Sequence, residues 1–357
     1  MDKSTRKALH NAMDQFSYHG DLYQATPISK GRINETYLLK FYQNHEHRYV
    51  IQRLNHDFFK YPQVVADNVT SIAEYLEQKV LERGGDPRSD SINIVYTKDL
   101  KPYYVDEDGS YWRSYRYIDG KSLAKPSFRQ FYRIGRCYGY FHLDLLSFPL
   151  DVLKHSDAPF HDVERRLSHL EKAIAENKVK RVYFAQEEID SLRELSYLKD
   201  ILKSYKLPLR VCHNEAIIDN VLTKKKKTVV LDLDTVAPGY LCYDYGDLIR
   251  SGCYRLNEDG GEKKGRFDIK LFAAGTAGFL ESFGAQMSGE ELASLVPGLI
   301  YVTYERALFY TIEYLMGDPL CRVRMPEDNL HRARAQLSLL KQILSKKEAL
   351  QQIVESL

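Results

Sequence analysis

The stretch that decides how this chain is read is LRVCHNEAIIDNVLTKKKKTVVLDLDTVAPGYLCYDYGDLIR, residues 209–250. It opens on a short β-type run and passes through a polar loop containing His213, Asn214, Glu215 and Asn220. It then returns to β character in NVLT and TVVLDLDT. Lys224–Lys227 join those two runs and read as a solvated hairpin turn, since four lysines alone make a weak phosphate or nucleic-acid case. Asp232 and Asp234 sit on the second run. An otherwise apolar strand rarely carries two aspartates unless they are paired or bind a cation, because a lone buried carboxylate is costly. Oxygen ligands from Asn and Asp suit magnesium, which takes one or two carboxylates plus the phosphates of a nucleotide. Phosphoryl transfer further needs an acidic residue to orient and deprotonate the acceptor hydroxyl. Glu215, Asn220 and Asp232 are of the types this chemistry requires. Loop capping and salt bridges are the alternative reading of the same residues.

On the amino-terminal side, short β-rich runs alternate with turns. YLLKFYQ (37–43) and RYVIQRLN (48–55) form a strand–turn–strand pattern joined by NHEH. Val65, Val69, Ile72, Leu76 and Val80 recur at helical spacing over 64–82, and Gly84-Gly85-Asp86-Pro87 stops that helix. INIVYT (92–97) and KPYYVD (101–106) are further strand candidates before YWRSYRYI. After Asp119-Gly120 long helices follow. Ser127 is placed to cap one whose apolar positions are Phe131, Ile134, Tyr138, Phe141 and Leu145. A second carries Val163, Leu167, Leu170 and Ile174, and a third is expected over 187–205. Helices resume near 267 and run to the end, with loops near 285–290 and 317–326.

At 357 residues the chain exceeds the ~250–300 at which a single core stops growing, so two units are expected, 1–115 and 116–357. The charge balance of 51 basic to 49 acidic residues leaves +2, without the basic excess of a nucleic-acid binder. MDKSTRKALHNAMDQF lacks the apolar stretch of a signal peptide. The apolar neighbourhood Leu295–Tyr304 contains Pro297 and is shorter than the ~18 residues a membrane span needs. Five scattered cysteines without a CxxC pair read as reduced thiols, with Cys212 a strand filler. A cytoplasmic protein without membrane or nucleic-acid partners is the expectation.

The loop and strand together resemble the Brenner-type motif of the aminoglycoside phosphotransferase and choline kinase superfamily, H-x-D-x-x-x-x-N followed by a strand with a metal-binding Asp. His213 matches the His, Asn220 the metal-binding Asn and Asp232 the metal-binding Asp; Asp244 and Asp247 match a downstream acidic signature with a structural role around the loop. GRINETY (31–37), FHD (160–162), LPLRVCHN (207–214), LDLDTVAPG (231–239), YDYGDLIRSG (243–252) and EYLMGD (313–318) resemble most the bacterial N-acetylhexosamine 1-kinase branch. The resemblance implies an α+β, two-lobed protein-kinase-like fold, with an antiparallel β lobe followed by a mostly helical one. It implies ATP and Mg2+ as cofactors and a small-molecule acceptor, a sugar or amino sugar phosphorylated at its anomeric hydroxyl. Gly31 and Asn34 would cover the nucleotide phosphates, with Gln52 or Arg53 from the following strand. Ser114–Gly120 would form the hinge to adenine, including Arg116, Tyr117 and Ile118. Catalysis would rest on Glu215, His213, Asn220 and Asp232.

The sequence departs from that pattern in ways that bear on activity. Glu215 stands where the motif has Asp, and a carboxylate displaced by about 1 Å can cost on the order of 10²-fold in rate. Asp219 offers a second carboxylate in the same loop, where a turn role is the alternative. Ala216-Ile217 replace a Thr-Lys pair. Strand alternation lets only one of Gln52 and Arg53 face the cleft. Phe309 and Leu320 lie where the branch has polar groups, so Phe309 is a candidate acceptor contact with Glu215 and Asp234, helix packing being the alternative. Three readings follow: a small-molecule kinase, a pseudokinase weakened by Glu215, and a non-catalytic interaction protein. Choline, ethanolamine, homoserine and aminoglycosides are rival acceptors, and cationic ones call for an acidic pocket to which Glu305 and Glu313 are candidate contributors.

Overall fold

A computed structural model describes residues 3–28, 34–56, 58–154, 160–254 and 265–357, which form two compact units. The first comprises residues 1–120 with 148–158 and 231–237; the second comprises 121–147, 159–230 and 238–357. A single break near 115 does not express this interleaving, because two later segments pack with the amino-terminal part.

The first unit starts with α1 (Lys3–Met13), which the sequence pattern did not single out, followed by β1 (Asp21–Pro27), β2 (Glu35–Gln43) and β3 (His45–Arg53). Next come α2 (Pro62–Glu82), α3 (Pro87–Asp90), β4 (Ile94–Val95), β5 (Tyr104–Val105) and β6 (Tyr111–Arg116). The strands form an antiparallel sheet in the order β1-β2-β3-β6-β4, with β5 also on β6. The NHEH segment expected to be a turn is mostly strand: β2 and β3 pair up to Gln43 and His45 and reverse at Asn44, φ +63°. Asn tolerates that left-handed conformation better than most residues. One face of the sheet, carrying Tyr37, Leu39, Tyr49, Ile51 and Trp112, packs on Leu9, Ala12 and Met13 of α1. On α2, Pro62 occupies the first turn, where its missing N–H costs nothing, and Gly84 at φ +71° follows the helix end.

The second unit contains α4 (Phe128–Asp144), α5 (Val163–Glu176), α6 (Gln186–Glu194), β7 (Arg210–Cys212), β8 (Val221–Lys224) and β9 (Lys227–Val230). It continues with α7 (Leu241–Cys253), α8 (Ile269–Phe283), α9 (Gly289–Ala293), α10 (Leu295–Met316), α11 (Asp328–Leu344) and α12 (Lys347–Ser356). Ser127 caps α4 through a reciprocal box with Gln130. Glycines let α4 and α8 approach closely: a Cβ on Gly278 would lie 1.9 Å from the Tyr132 carbonyl oxygen. The lysine run is the turn of the β8–β9 hairpin. The helix expected over 187–205 is shorter, α6 giving way to 3-10 turns over Leu195–Asp200. Helix α10 is buried along nearly its whole length and forms the axis of the unit's core. No helix among the described residues is long and apolar enough to cross a membrane.

Candidate active site

In the second unit the polar loop leaves β7 at His213 and closes at Asn220. Two consecutive backbone N–H groups, of His213 and Asn214, donate to the Asp244 carboxylate at 2.6 and 2.7 Å. Asp244 is fully buried on α7, with His142 Nε2 at 3.0 Å. Burial works to raise its pKa, but His142, His213 and the donated N–H bonds outweigh that and hold it below the ordinary value. The His213 ring lies in the core against Tyr138 and Phe141, 5.8 Å from each. It therefore anchors the loop and is not presented to solvent. Ala216 and Ile218 are buried, and the Ile217 carbonyl accepts from Tyr138 Oη at 2.9 Å. The apolar pair Ala216-Ile217 thus serves as a root for the loop. Asn220 Nδ2 donates to the Glu215 carbonyl at 2.9 Å. Only the amide nitrogen can donate there, so the amide oxygen faces away, and it accepts nothing among the described residues.

The Glu215 carboxylate, one quarter exposed, has Arg306 Nη1 at 3.9 Å. Arg306 Nη2 lies 3.6 Å from Asp247, whose other oxygen accepts from Arg250 Nε at 2.9 Å. Arg306 makes no hydrogen bond among the described residues, so its donors stand unfilled beside the loop acid. Burial acts to lower its pKa, and Asp247, Tyr310 and Glu215 more than offset this, so it is charged. The half-buried Phe309 ring has the Arg306 guanidinium at 5.7 Å and that of Arg166 at 5.2 Å. Arg166 Nε in turn donates to Glu305 at 2.5 Å, and His161 Nδ1 is 2.7 Å from the same carboxylate. Glu313 accepts two backbone N–H bonds, from Leu320 and Cys321, at 2.9 Å each. Both acids that a cationic acceptor would need are thus engaged by the protein itself. A cavity of about 330 Å³ opens beside this cluster, lined by His161, Asp162, Lys199, Tyr240, Tyr243 and Tyr301 among others.

The first unit has its own polar assembly. Thr36, Gln52 and Arg113 are cross-strand neighbours on β2, β3 and β6, on the face opposite the α1 core. Gln52 Oε1 accepts from Arg113 Nη2 at 2.8 Å, and Gln52 Nε2 donates to Thr36 Oγ1 at 3.1 Å. Arg53 points the other way, bonding Ser110 Oγ at 2.7 Å and lying over the Trp112 ring. Of the two strand candidates, Gln52 belongs to the polar face and Arg53 does not. Asp234, expected as an acceptor contact, is instead buried in this unit: it pairs with Arg113 Nη2 at 2.5 Å and accepts from Asn34 Nδ2 at 2.7 Å. Asp232, two residues earlier, is exposed and held at φ +57°, a conformation uncommon for a residue other than glycine and often found where function dictates it. In the segment after β6, Tyr117 N–H donates to the Arg48 carbonyl at 3.0 Å and its ring carries the Arg48 guanidinium. Arg116 N–H is likewise spent, on the Asn93 carbonyl. The Ile118 N–H has no partner among the described residues. Gly31 lies outside the described residues.

A family model described as the APH phosphotransferase enzyme family matches residues 24–275. The chain belongs to that family. Solved structures share its fold at low identity. The chain is similar to an aminoglycoside phosphotransferase from Alicyclobacillus acidocaldarius, with 17% identity, TM-score 0.63, and 98% and 96% of the two chains covered. It is similar to a spectinomycin phosphotransferase solved with ADP and spectinomycin, at 14% identity, TM-score 0.59 and coverages of 97% and 98%. A microcompartment-associated aminopropanol kinase gives 15% identity, TM-score 0.59 and coverages of 97% and 98%. The antiparallel amino-terminal sheet and mostly helical remainder are thus the kinase-like fold of the APH family.

Within this APH chain, sequence reasoning picked out the loop and Asp232, which it placed on a strand where the structure has a turn, but passed over Arg306 and Arg113. Neither sits in a motif. Arg306 had one detectable signal, a basic residue beside Glu305 in a largely apolar helix. Arg113 lay within a strand-like run, YWRSYRYI, that gave no reason to weigh it.

Proposed function

We propose that the chain is an ATP- and Mg2+-dependent kinase of a small, uncharged hydroxylated molecule, with a sugar or an N-acetylated amino sugar phosphorylated at its anomeric hydroxyl as the favoured acceptor. The observation that carries this reading is the pairing at the loop. A partly exposed Glu215 stands on a rooted backbone beside Arg306, whose donors make no hydrogen bond among the described residues. Glu215 takes the proton of the acceptor hydroxyl as its oxygen attacks the terminal phosphorus, and the bond from that phosphorus to the nucleotide's bridging oxygen breaks. Arg306 holds an oxygen of the acceptor or of the transferring group, a role suited to a planar, permanently charged donor.

Asn220 and Asp232 are the proposed metal ligands. The outward amide oxygen of Asn220 and the exposed carboxylate of Asp232 are hard donors of the type magnesium takes. Bound there, the ion would neutralise charge developing on the phosphates. Asn34 and Gln52 belong to the nucleotide side, and the unpartnered Ile118 N–H supports this segment as the adenine hinge. The Ca2+ and AMP-PNP of an amicoumacin kinase complex, and the ADP of the spectinomycin enzyme, support the same cofactors. An uncharged acceptor is favoured because Glu305 and Glu313 are already engaged.

The test is ATP consumption with magnesium against free sugars, amino sugars, amino alcohols and aminoglycosides, run with Glu215→Asp alongside. Turnover on one acceptor class by the unaltered chain is expected. Activity only in Glu215→Asp would favour a pseudokinase, a reading motivated by the longer side chain and by Ile217. Absence of magnesium-dependent nucleotide binding would leave a non-catalytic interaction protein.

A further inference from the structure

The Arg113–Asp234 pair in the first unit is not explained by stability. Arg113 is 2% exposed and Asp234 is 9% exposed. Desolvating two charges generally offsets most of their attraction, and apolar residues of the same volume often do as well or better. The pair is also not optimised as a stabilising unit, because Arg113 Nη1 is buried without a hydrogen-bond partner among the described residues. What the pair does is geometric. One oxygen of Asp234 takes Arg113 Nη2 at 2.5 Å and the other takes Asn34 Nδ2 at 2.7 Å. Asn34 Oδ1 accepts the Asn55 N–H at 3.0 Å, and Gln52 Oε1 accepts from the same Arg113 Nη2 at 2.8 Å and from Nε at 3.2 Å. A single buried carboxylate therefore joins the start of β2, the centre of β6 and the 3-10 turn Leu233–Thr235 that follows Asp232.

We propose that Arg113 is a positioning residue for nucleotide binding: through Asp234 it sets the strained turn that presents Asp232, and the Asn34 end of β2, as one rigid assembly toward a magnesium–nucleotide. The inference rests on the kinase reading above. It places a buried cation on β6, at the position beside Gln52 of β3. Arginine suits the place because its planar fork reaches Gln52 and Asp234 together, whereas lysine offers a point charge on a flexible stem.

The experiment titrates the full chain with AMP-PNP by calorimetry at several magnesium concentrations, with thermal unfolding measured on the same samples. The variants are Arg113→Met, Arg113→Lys and the double variant Arg113→Met/Asp234→Leu. Groups that support a metal ligand from behind typically change affinity by roughly 10–100-fold. Arg113→Met should accordingly weaken magnesium-dependent nucleotide binding by about tenfold or more and raise the magnesium needed for half-saturation; Arg113→Lys should recover part of that loss. The double variant removes both charges, so its unfolding temperature should stay near that of the unaltered chain while binding remains weak. A double variant that is folded and binds AMP-PNP with unaltered magnesium dependence overturns the proposal and leaves the kinase reading intact. Failure of the unaltered chain to bind the nucleotide at any magnesium concentration overturns both.

Discussion

The two polar assemblies of this protein are opposites in how they treat their hydrogen-bonding groups. In the first unit, Gln52, Arg113, Asp234 and Asn34 are drawn into a mostly buried network in which each side chain bonds at least one other, Arg113 Nη1 alone of its nitrogens standing outside it. In the second, Glu215 and Arg306 stand 3.9 Å apart, partly exposed and short of hydrogen bonds. A buried, closed network fixes geometry because breaking any member strands another in a low-dielectric interior. A surface pair held by rooted backbone keeps its donors and acceptors for a ligand. On the proposed function, position and chemistry fall to different parts of the molecule.

The largest expected effect tests the open assembly. Glu215→Ala should lower kcat by about 10²–10⁴-fold, the usual contribution of a positioned acid–base group, while leaving unfolding nearly unchanged. Steady-state kinetics with a thermal melt checks both, and full turnover would end the assignment of Glu215 as base. The closed assembly should respond in the reverse sense. Arg113→Met leaves Asp234 charged and uncompensated, and chemical unfolding should show a loss of about 3–5 kcal/mol, most of it restored in Arg113→Met/Asp234→Leu. If the single variant is as stable as the unaltered chain, the network is not the closed unit described.

A third prediction uses the ion cluster on α10. Burial alone would raise the Glu305 pKa, but Arg166 and His161 hold it well below the ordinary carboxylate value. Burial pulls the His161 pKa down, yet Glu305 more than offsets this and it lies above its usual value. A depressed acid stabilises the fold above its unfolded pKa of about 4 and loses that contribution as pH falls through the folded value. A raised histidine contributes below about 6.5 and loses its contribution as pH rises through its folded pKa. Unfolding free energy should therefore fall on both sides of a window near pH 5–6.5, and Glu305→Gln should flatten the acid limb. An unflattened acid limb would place the titrating groups elsewhere. The smallest effect belongs to Arg53, on the far face of the sheet: Arg53→Ala should leave nucleotide affinity within about twofold, in keeping with substitutions away from a site. A larger loss by calorimetry would mean that the two faces are not separable.

Much of this arrangement was legible in residue order. The Ser127 cap, the spacing of Phe131, Ile134, Tyr138 and Phe141, and the lysine hairpin each depend on neighbours within a few positions, so local chemistry announces them. The loop from His213 to Asn220 was legible for the same reason. Helix α7 was not. Eleven of its thirteen residues are buried, the polar Asp244, Asp247 and Arg250 among them, so its acidic residues read as a motif and drew attention away from the helical spacing of Leu241, Tyr245, Leu248 and Ile249. The sequence by itself determined the class of elements and the loop with its acid and amide; the two aspartates expected on a strand lie instead beyond the end of β9 at Val230, in and before the 3-10 turn Leu233–Thr235. Only the tertiary structure decided what those aspartates do: Asp232 is left exposed, while Asp234 is claimed by an arginine 121 positions away and an asparagine 200 positions away. The same holds for Arg306, 91 positions from Glu215 by their numbering. A buried charge is stable only beside its partner, and which residue becomes that partner is set by how strands register and helices pack, at separations that no local pattern encodes.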